Sequence, residues 1–178
     1  PRDRAMVLIL LRTGMRIGEL LNTAIPDVNL PEKRIEIFEA QKNRVGRVVY
    51  LADDACQALE DWLKVRRRKT PLIFCGQGGR SLSYEVVRSR FVSLLEKAEL
   101  GGKGYTLHCL RHTFASELLN AGMRLECLQQ LLGHSSIEMT RRYARLTDVT
   151  RKEEYFRAMD IIEKDGVHGD YRCDHQLP

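Results

Sequence analysis

Five side chains that could do chemistry lie in short motifs spread along the sequence: Arg16, His108, Arg111, His134 and Tyr143. An arginine guanidinium binds phosphate oxygens in a bidentate manner and stays protonated, so it can offset the charge that develops when a phosphodiester is attacked. A histidine can transfer protons, and a tyrosine hydroxyl can be the nucleophile when a base and nearby cations assist it. Together these residue types indicate attack on a phosphodiester without a metal.

The spacing of the first members predicts two local pairs. His108 and Arg111 are three residues apart, so on a helix they share a face and can reach the same phosphate. Arg16 and Glu19 have the same spacing, which would let the Glu19 carboxylate hold either that guanidinium or a neighbouring imidazole. His112 is predicted to point off a different helical face from His108 and is assigned a structural role.

The last two members lie near each other in the sequence. Gly133 is predicted to end a helix and so to expose the imidazole of His134 at a helix junction. Tyr143 follows nine residues after His134, in a helix whose start is predicted from a capping box formed by Ser135 and Glu138. A phenol has a pKa of about 10 and needs a base and cations nearby. The flanking cations are Arg141, Arg142 and Arg145.

Metal ligation is not indicated by the sequence. It contains no H-E-x-x-H motif, no carboxylates clustered at useful spacing and no Cys/His zinc pattern. His168, Cys173 and His175 are residue types that ligate metals, but they lie in a tail that we predict to be disordered. We therefore expect no metal and no cofactor. Taken singly, each candidate residue has an ordinary structural explanation, and only the combination argues for a site.

The composition is typical of one globular domain. The chain has 178 residues, of which 43% are hydrophobic and 30% charged, as in a soluble protein rather than a disordered or membrane one. The longest apolar run, Ala5–Leu11, is far shorter than a membrane span. Five scattered cysteines without a C-x-x-C pair favour reduced thiols in a cytosol. A net charge of +5, with a basic run at Arg66–Lys69, is compatible with a polyanionic partner.

The apolar pattern predicts an α+β fold that is mainly α-helical with one small antiparallel sheet. Gly14 is expected to stop a buried first helix, and Asp53 or Asp54 to cap a later one. The alternating segment Arg34–Leu51 predicts a β-hairpin, and Leu72–Phe74 predicts a short third strand. Further helices are predicted near Met15–Leu21, Ala58–Leu63, Val86–Leu95, His108–Gly122, Leu125–Leu132 and Asp148–Glu163.

Four motifs, in this order, resemble the catalytic domain of the tyrosine recombinase (phage integrase) family. They are T-G-x-R-x-x-E-L, H-x-L-R-H, L-L-G-H-S and the tyrosine that follows them, and the likeness runs from about residue 5 to residue 146. The resemblance implies the fold of DNA breaking-rejoining enzymes. It also implies that Arg16 and Arg111 clamp the scissile phosphate, with Glu19 supporting the site.

The remaining roles also follow from the resemblance. His108 would act as a general acid/base and His134 would hydrogen-bond the phosphate, while Tyr143 would attack to give a 3′-phosphotyrosine and a free 5′-hydroxyl. The family also uses a lysine in the hairpin turn to protonate the departing 5′ oxygen. Counting back from the second strand assigns Lys42 to this role, ahead of the weaker candidates Lys33 and Lys103.

The resemblance implies a domain organisation and partners as well. We expect a catalytic domain over residues 1–164 and a disordered tail over 165–178, without the N-terminal core-binding domain of the family. Double-stranded DNA would be bound mainly through phosphates, with steep salt dependence. The intact protein would form a tetramer on two DNA sites, with Asp148–Glu163 packed on a neighbouring protomer. Its origin would be bacterial, phage or mobile-element, and its compartment the cytoplasm.

Two alternatives remain beside a site-specific recombinase or integrase that needs neither metal nor ATP. One keeps the chemistry but changes the biology, as a type IB topoisomerase-like relaxer or a telomere resolvase. The other is a non-catalytic DNA-binding or regulatory relative. The compact spacing from His108 to Tyr143 favours the integrase form, and the presence of every catalytic residue type argues against the non-catalytic one.

Overall fold

The computed structural model describes residues 1–38, 45–67 and 70–133, which all belong to one compact unit. Three strands and six α-helices make up the regular structure of these residues. In chain order they are α1 (Arg2–Thr13), α2 (Ile17–Asn22), β1 (Val28–Asn29), β2 (Arg34–Phe38), β3 (Val45–Tyr50), α3 (Asp53–Val65), α4 (Tyr84–Lys97), α5 (Leu107–Asn120) and α6 (Leu125–Leu132). Short 3₁₀ turns cover Ile25–Asp27 and Gln77–Gly79. The predicted class, mainly α-helical with a small antiparallel sheet, is confirmed.

Helix α1 is the centre of the larger hydrophobic core. Ala5 and Ile9 are fully buried within it, as expected for a helix that is apolar on several sides. The helix ends at Gly14, whose φ of 61° lies in the left-handed region and whose N–H binds the carbonyl of Leu10. A Cβ atom at Gly14 would lie 2.2 Å from Cδ1 of Phe114 in α5. Gly14 therefore ends α1, as predicted, and also permits the close approach of α5.

The sheet has the order β1-β2-β3, with both pairs antiparallel. The β2–β3 pair places Ile35 opposite Val49, and both side chains are buried, because alternate residues of a strand face the core. The predicted hairpin is thus confirmed in its two strands. A bulge lies between Ile37 and Phe38.

The predicted third strand at Leu72–Phe74 is wrong, since the third strand of the sheet is Val28–Asn29. Leu72 forms only an isolated bridge with Ala24. A 3₁₀ turn over Ile25–Asp27 follows Ala24 directly, so the chain leaves the extended conformation that strand pairing requires. Ile73 and Phe74 are nevertheless fully buried. Their apolar character reflects a buried loop rather than a strand.

The predicted capping of α3 by an aspartate is also wrong. The capping position is held by Ala52, and Asp53 and Asp54 lie in the first turn. Asp54 instead forms an ion pair with Arg12 at 2.9 Å, and Asp53 pairs with Lys33. Both carboxylates still lie at the positive end of the helix, where negative charge is favourable.

A smaller core joins α5 and α6, the last two helices of the described ranges. It consists of Phe114 and Ala115 from α5 with Leu128 and Leu132 from α6.

No helix in the described ranges has both the length and the apolar content needed to cross a bilayer. Among the described residues, the cysteines at 56, 75, 109 and 127 form no disulfide.

Some predictions fall outside the described residues. These are the hairpin turn with Lys42, the residues His134 and Tyr143, the capping box at Ser135 and Glu138, the helix at Asp148–Glu163 and the tail over 165–178.

Candidate active site

Helix α2 begins directly after Arg16, the first candidate residue, and the local sequence explains why. Arg16 lies just before the helix with extended backbone angles, and Glu19 is the third residue of the first turn. Oε2 of Glu19 accepts a hydrogen bond from the backbone N–H of Arg16 at 2.6 Å, as glutamate does at this position of a capping box. Nη1 of Arg16 also donates to Oε1 of Glu19 at 3.0 Å. The structure therefore brings this carboxylate and this guanidinium together, with the arginine side chain still 47% exposed.

Arg111 is the one charged residue that is buried within the described ranges, with 4% exposure. Its Nη1 donates to the carbonyl of Gly14, and its Nη2 donates to the carbonyl of Leu132 at 2.7 Å. A buried cation is tolerated when its donors are satisfied, and a guanidinium has five N–H donors. These two bonds fix the plane of the guanidinium between the ends of α1 and α6.

His108 lies in the first turn of α5 and is exposed. Its ring meets the ring of His112 edge to face, with centroids 4.5 Å apart and planes at 88°. The prediction that His112 points off a different helical face is therefore wrong. Residues four apart lie on the same side of a helix, so His112 belongs beside the candidate site.

The pKa of His108 is lowered from its ordinary value. Partial burial of the imidazole is the largest cause, followed by the positive charges of His112, Arg111 and Arg16. These influences show that the two arginines and the imidazole share one region. A lowered pKa favours the neutral imidazole, which is the form that can accept a proton.

Arg47 in β3 is a member of this cluster that the sequence analysis missed. Its Nη1 and Nη2 donate to Oε1 and Oε2 of Glu19, each at 2.7 Å. Its Nε donates to the carbonyl of Leu131 at 2.8 Å. One signal could have revealed it: Arg47 lies two residues before the buried Val49, on the same face of the strand. An arginine on the buried face of a strand needs partners.

Glu19 ends up ionised despite its partial burial. Burial would raise the pKa of its carboxyl, but hydrogen bonds from Arg47 and from the Arg16 backbone, together with both guanidinium charges, outweigh it and lower the pKa. The site thus contains one carboxylate between two arginines.

Each of the last three carbonyls before His134 accepts a hydrogen bond from a different arginine. The pairs are Leu131 with Arg47 at 2.8 Å, Leu132 with Arg111 at 2.7 Å and Gly133 with Arg16 at 3.5 Å, the last being long. The final carbonyls of a helix lack partners within it and form its negative end. We call the carbonyls of Leu131–Gly133 the α6 terminus. It binds three arginines, one directly before α2 and one each from β3 and α5, at carbonyls that immediately precede His134 in the sequence.

The structure therefore brings together Arg16, Glu19, His108 and Arg111 and adds Arg47. The predicted positions of Lys42, His134 and Tyr143 lie outside the described residues. In the described part of the chain, no three His, Cys, Asp or Glu side chains converge on a point that could hold a metal ion. What the cluster offers is a concentration of guanidinium donors and an imidazole, which suits an anionic phosphate.

This fold and this cluster define the class of the protein, a domain of the tyrosine recombinase catalytic type. The chain belongs to the Phage integrase family, whose sequence profile matches residues 1–149. The resemblance drawn from the four motifs is confirmed.

Individual relatives agree with this assignment. Tyrosine recombinase XerC of Leptospira interrogans is 34% identical over 161 residues, which cover 88% of this chain and 50% of that protein. The crystal structure of XerA recombinase matches with a TM-score of 0.76 and 32% identity, over 88% of this chain and 57% of that one. XerH site-specific recombinase, in a post-cleavage complex with its palindromic difH substrate, gives 0.72 and 27%, over 86% and 45%. The chain spans about half the length of the curated relatives it matches.

Proposed function

We propose that the chain carries the catalytic centre of a site-specific DNA recombinase, which cuts and rejoins double-stranded DNA through a 3′-phosphotyrosine without metal or ATP. The observation that carries the proposal is the grouping of Arg16, His108 and Arg111 beside the α6 terminus. Family membership supports it, and the named recombinases among the relatives favour this biology over a topoisomerase or a telomere resolvase.

In the proposed reaction, Oη of Tyr143 attacks the phosphorus, and the bond between phosphorus and the 5′ oxygen breaks. The phenol proton passes to a base, for which His108 is suited because its lowered pKa favours the neutral imidazole. Lys42 gives a proton to the departing 5′ oxygen. The phosphotyrosine conserves the energy of the broken bond, so a 5′-hydroxyl from another strand can reverse the step and seal the DNA.

The arginines supply charge stabilisation in this scheme. Arg16 and Arg111 bind the non-bridging oxygens, on which negative charge develops, and His134 adds a hydrogen bond. Loss of one such donor in comparable sites costs on the order of 10² to 10³ in rate. Arg111 suits this role because its guanidinium plane is fixed before substrate arrives.

The proposal extends to the partners of the whole protein. Double-stranded DNA is supported by the complex of XerH with its difH substrate and by the net charge of +5. We propose a tetramer on two DNA sites, residues 1–164 as the catalytic domain, and a further DNA-binding domain in the full-length protein, whose relatives are about twice as long as this chain. A bacterial or phage-derived protein of this kind would act in the cytoplasm.

The test is a covalent protein–DNA complex on a denaturing gel, formed by the full-length parent protein on nicked DNA in EDTA. An adduct that disappears with Tyr143→Phe, while DNA affinity is kept, is the expected result. Absence of an adduct with intact DNA binding would overturn the proposal in favour of a non-catalytic relative. An adduct that survives Tyr143→Phe would assign the nucleophile to another residue.

A further inference from the structure

The ion pair between Arg47 and Glu19 is the best-formed one in the described ranges. Both terminal nitrogens of the guanidinium meet both carboxylate oxygens at 2.7 Å, and the two side chains are only 11% and 18% exposed. An ion pair that is bidentate and shielded from water is stronger and more specific in orientation than an exposed pair with a single contact. This pair therefore holds β3 against α2 in a defined position.

Glu19 is shared between two arginines rather than devoted to one. Its Oε1 accepts from Nη1 of Arg16 at 3.0 Å and from Nη1 of Arg47 at 2.7 Å. The three side chains together carry one net positive charge. Without Arg47, the whole carboxylate charge would act on Arg16 and draw its guanidinium away from a phosphate. Arg47 thus supplies the countercharge that leaves Arg16 available to an anion.

Arg47 also contacts the α6 terminus closely. Its Nε donates to the carbonyl of Leu131 at 2.8 Å, and its guanidinium lies over Gly133. A Cβ atom at Gly133 would lie 2.8 Å from Nη1 and 3.0 Å from Cδ of Arg47. A lysine cannot replace these contacts, because an ammonium group is a single point of charge without the planar fork.

We propose that Arg47 is a positioning residue of the active site: by binding both Glu19 and the α6 terminus, it holds Arg16 in the orientation that a phosphate requires. The expected effect of Arg47 on the reaction rate rests on the proposed function. Its expected effect on anion binding rests on the geometry alone. Arg47 also connects β3, the strand that follows Lys42 in the sequence, to the residue before His134.

The first experiment measures DNA binding without chemistry, in the full-length protein carrying Tyr143→Phe. Arg47→Met should weaken duplex binding and reduce the slope of log Kd against log salt by about one, because Arg16 is withdrawn to Glu19. Adding Glu19→Gln should restore the slope, because the competing charge is gone. Arg34→Met is the matched control, since Arg34 lies in the same sheet but pairs with Glu32 and Glu36.

The second experiment measures single-turnover adduct formation on nicked DNA with Tyr143 present. Arg47→Lys, chosen because it retains the charge, should slow the reaction by about 10- to 100-fold, the range seen when an outer-shell partner that orients a ligand is lost from a metal site. Thermal unfolding shows whether each variant is folded. If Arg47→Met is unfolded, the reaction rate of Arg47→Lys provides the test. Arg34→Met should react at the wild-type rate.

The outcomes separate the two proposals. If the wild-type protein forms no adduct but Arg47→Met lowers the salt slope and Glu19→Gln restores it, the proposed function fails and the role of Arg47 stands. If the adduct forms and Arg47 variants bind and react like the wild type, the role of Arg47 is refuted. A loss that Glu19→Gln deepens rather than relieves also refutes it, because a purely structural contact gives additive losses.

Discussion

Arg111 donates a hydrogen bond to the carbonyl of Gly14, the residue that ends α1, although 97 positions separate them in the chain. The same guanidinium binds the carbonyl of Leu132 at the end of α6. A candidate phosphate-binding residue is therefore also a structural connection between three helices. Arg16 is half-exposed and does not connect helices through buried hydrogen bonds in this way.

This difference predicts unequal effects of two similar substitutions on stability. Arg111→Ala should lower the free energy of unfolding by roughly 2–5 kcal/mol, because it removes two buried hydrogen bonds and leaves two carbonyls without these donors. Arg16→Ala should change it by about 1 kcal/mol or less. Urea denaturation of both variants decides the matter, and equal losses would contradict the structural role of Arg111.

The lowered pKa of His108 predicts a particular dependence of stability on pH. A histidine whose folded pKa lies below its unfolded value stabilises the fold above the unfolded pKa, and that contribution is lost as pH falls through the folded pKa. The window therefore opens near the ordinary value of 6.5 and extends downward. Compared with the wild type, His108→Gln should lose less free energy of unfolding between about pH 7.5 and about pH 5.

The neighbouring ring provides the control for this prediction. His112→Gln removes one of the charges that lower the pKa of His108, so the imidazole of His108 should titrate at higher pH in an NMR experiment. An unchanged titration would mean that His112 does not contribute to the lowered pKa of His108.

Gly133 predicts a coupling between backbone conformation and the arginine cluster. Gly133→Ala should destabilise the fold by roughly 1–2 kcal/mol because the residue has a φ of 63°, and the new methyl group must displace the Arg47 guanidinium. Adduct formation should slow as well. The matched control is Gly18→Ala in α2, where nothing lies within 4 Å; it should be neutral or stabilising by about 0.5–1 kcal/mol. Similar behaviour of the two variants would contradict this account.

The role predicted for Lys42 can be tested through the leaving group. Lys42→Ala should slow cleavage of ordinary DNA by on the order of 10²-fold or more. It should affect DNA with a 5′-bridging sulfur far less, because a thiolate leaves without a proton. Equal slowing of both substrates would remove Lys42 from the general-acid role.

Local signals in the sequence predicted much of the fold. Gly14 and Gly133 end helices because few other residues adopt a left-handed conformation, and the alternation around Ile35 marks the hairpin. The third strand was misplaced because an apolar run such as Leu72–Phe74 has the same pattern in a buried loop as in a strand. The apolar pattern of the hairpin and that of Leu72–Phe74 both indicate burial, but neither by itself determines the secondary structure.

The candidate site was predicted in part, and the missing part is long-range. Arg16 and Arg111 stand out through their motifs, whereas the role of Arg47 depends on a carboxylate 28 positions away. The backbone carbonyls that hold these side chains leave no trace in residue identities. His112 was misplaced by an error of helical geometry that the spacing itself could have corrected, since residues four apart share a face.

The α6 terminus has a consequence for the order in which the protein becomes competent. A ribosome delivers the chain from its N-terminus, so Arg16, Arg47 and Arg111 all emerge before the three carbonyls that orient them. Until the last turn of α6 is made, the arginines have no common anchor. The orientation of the three arginines is therefore completed only after α6 has been synthesised, and it depends on backbone carbonyls rather than on another side chain.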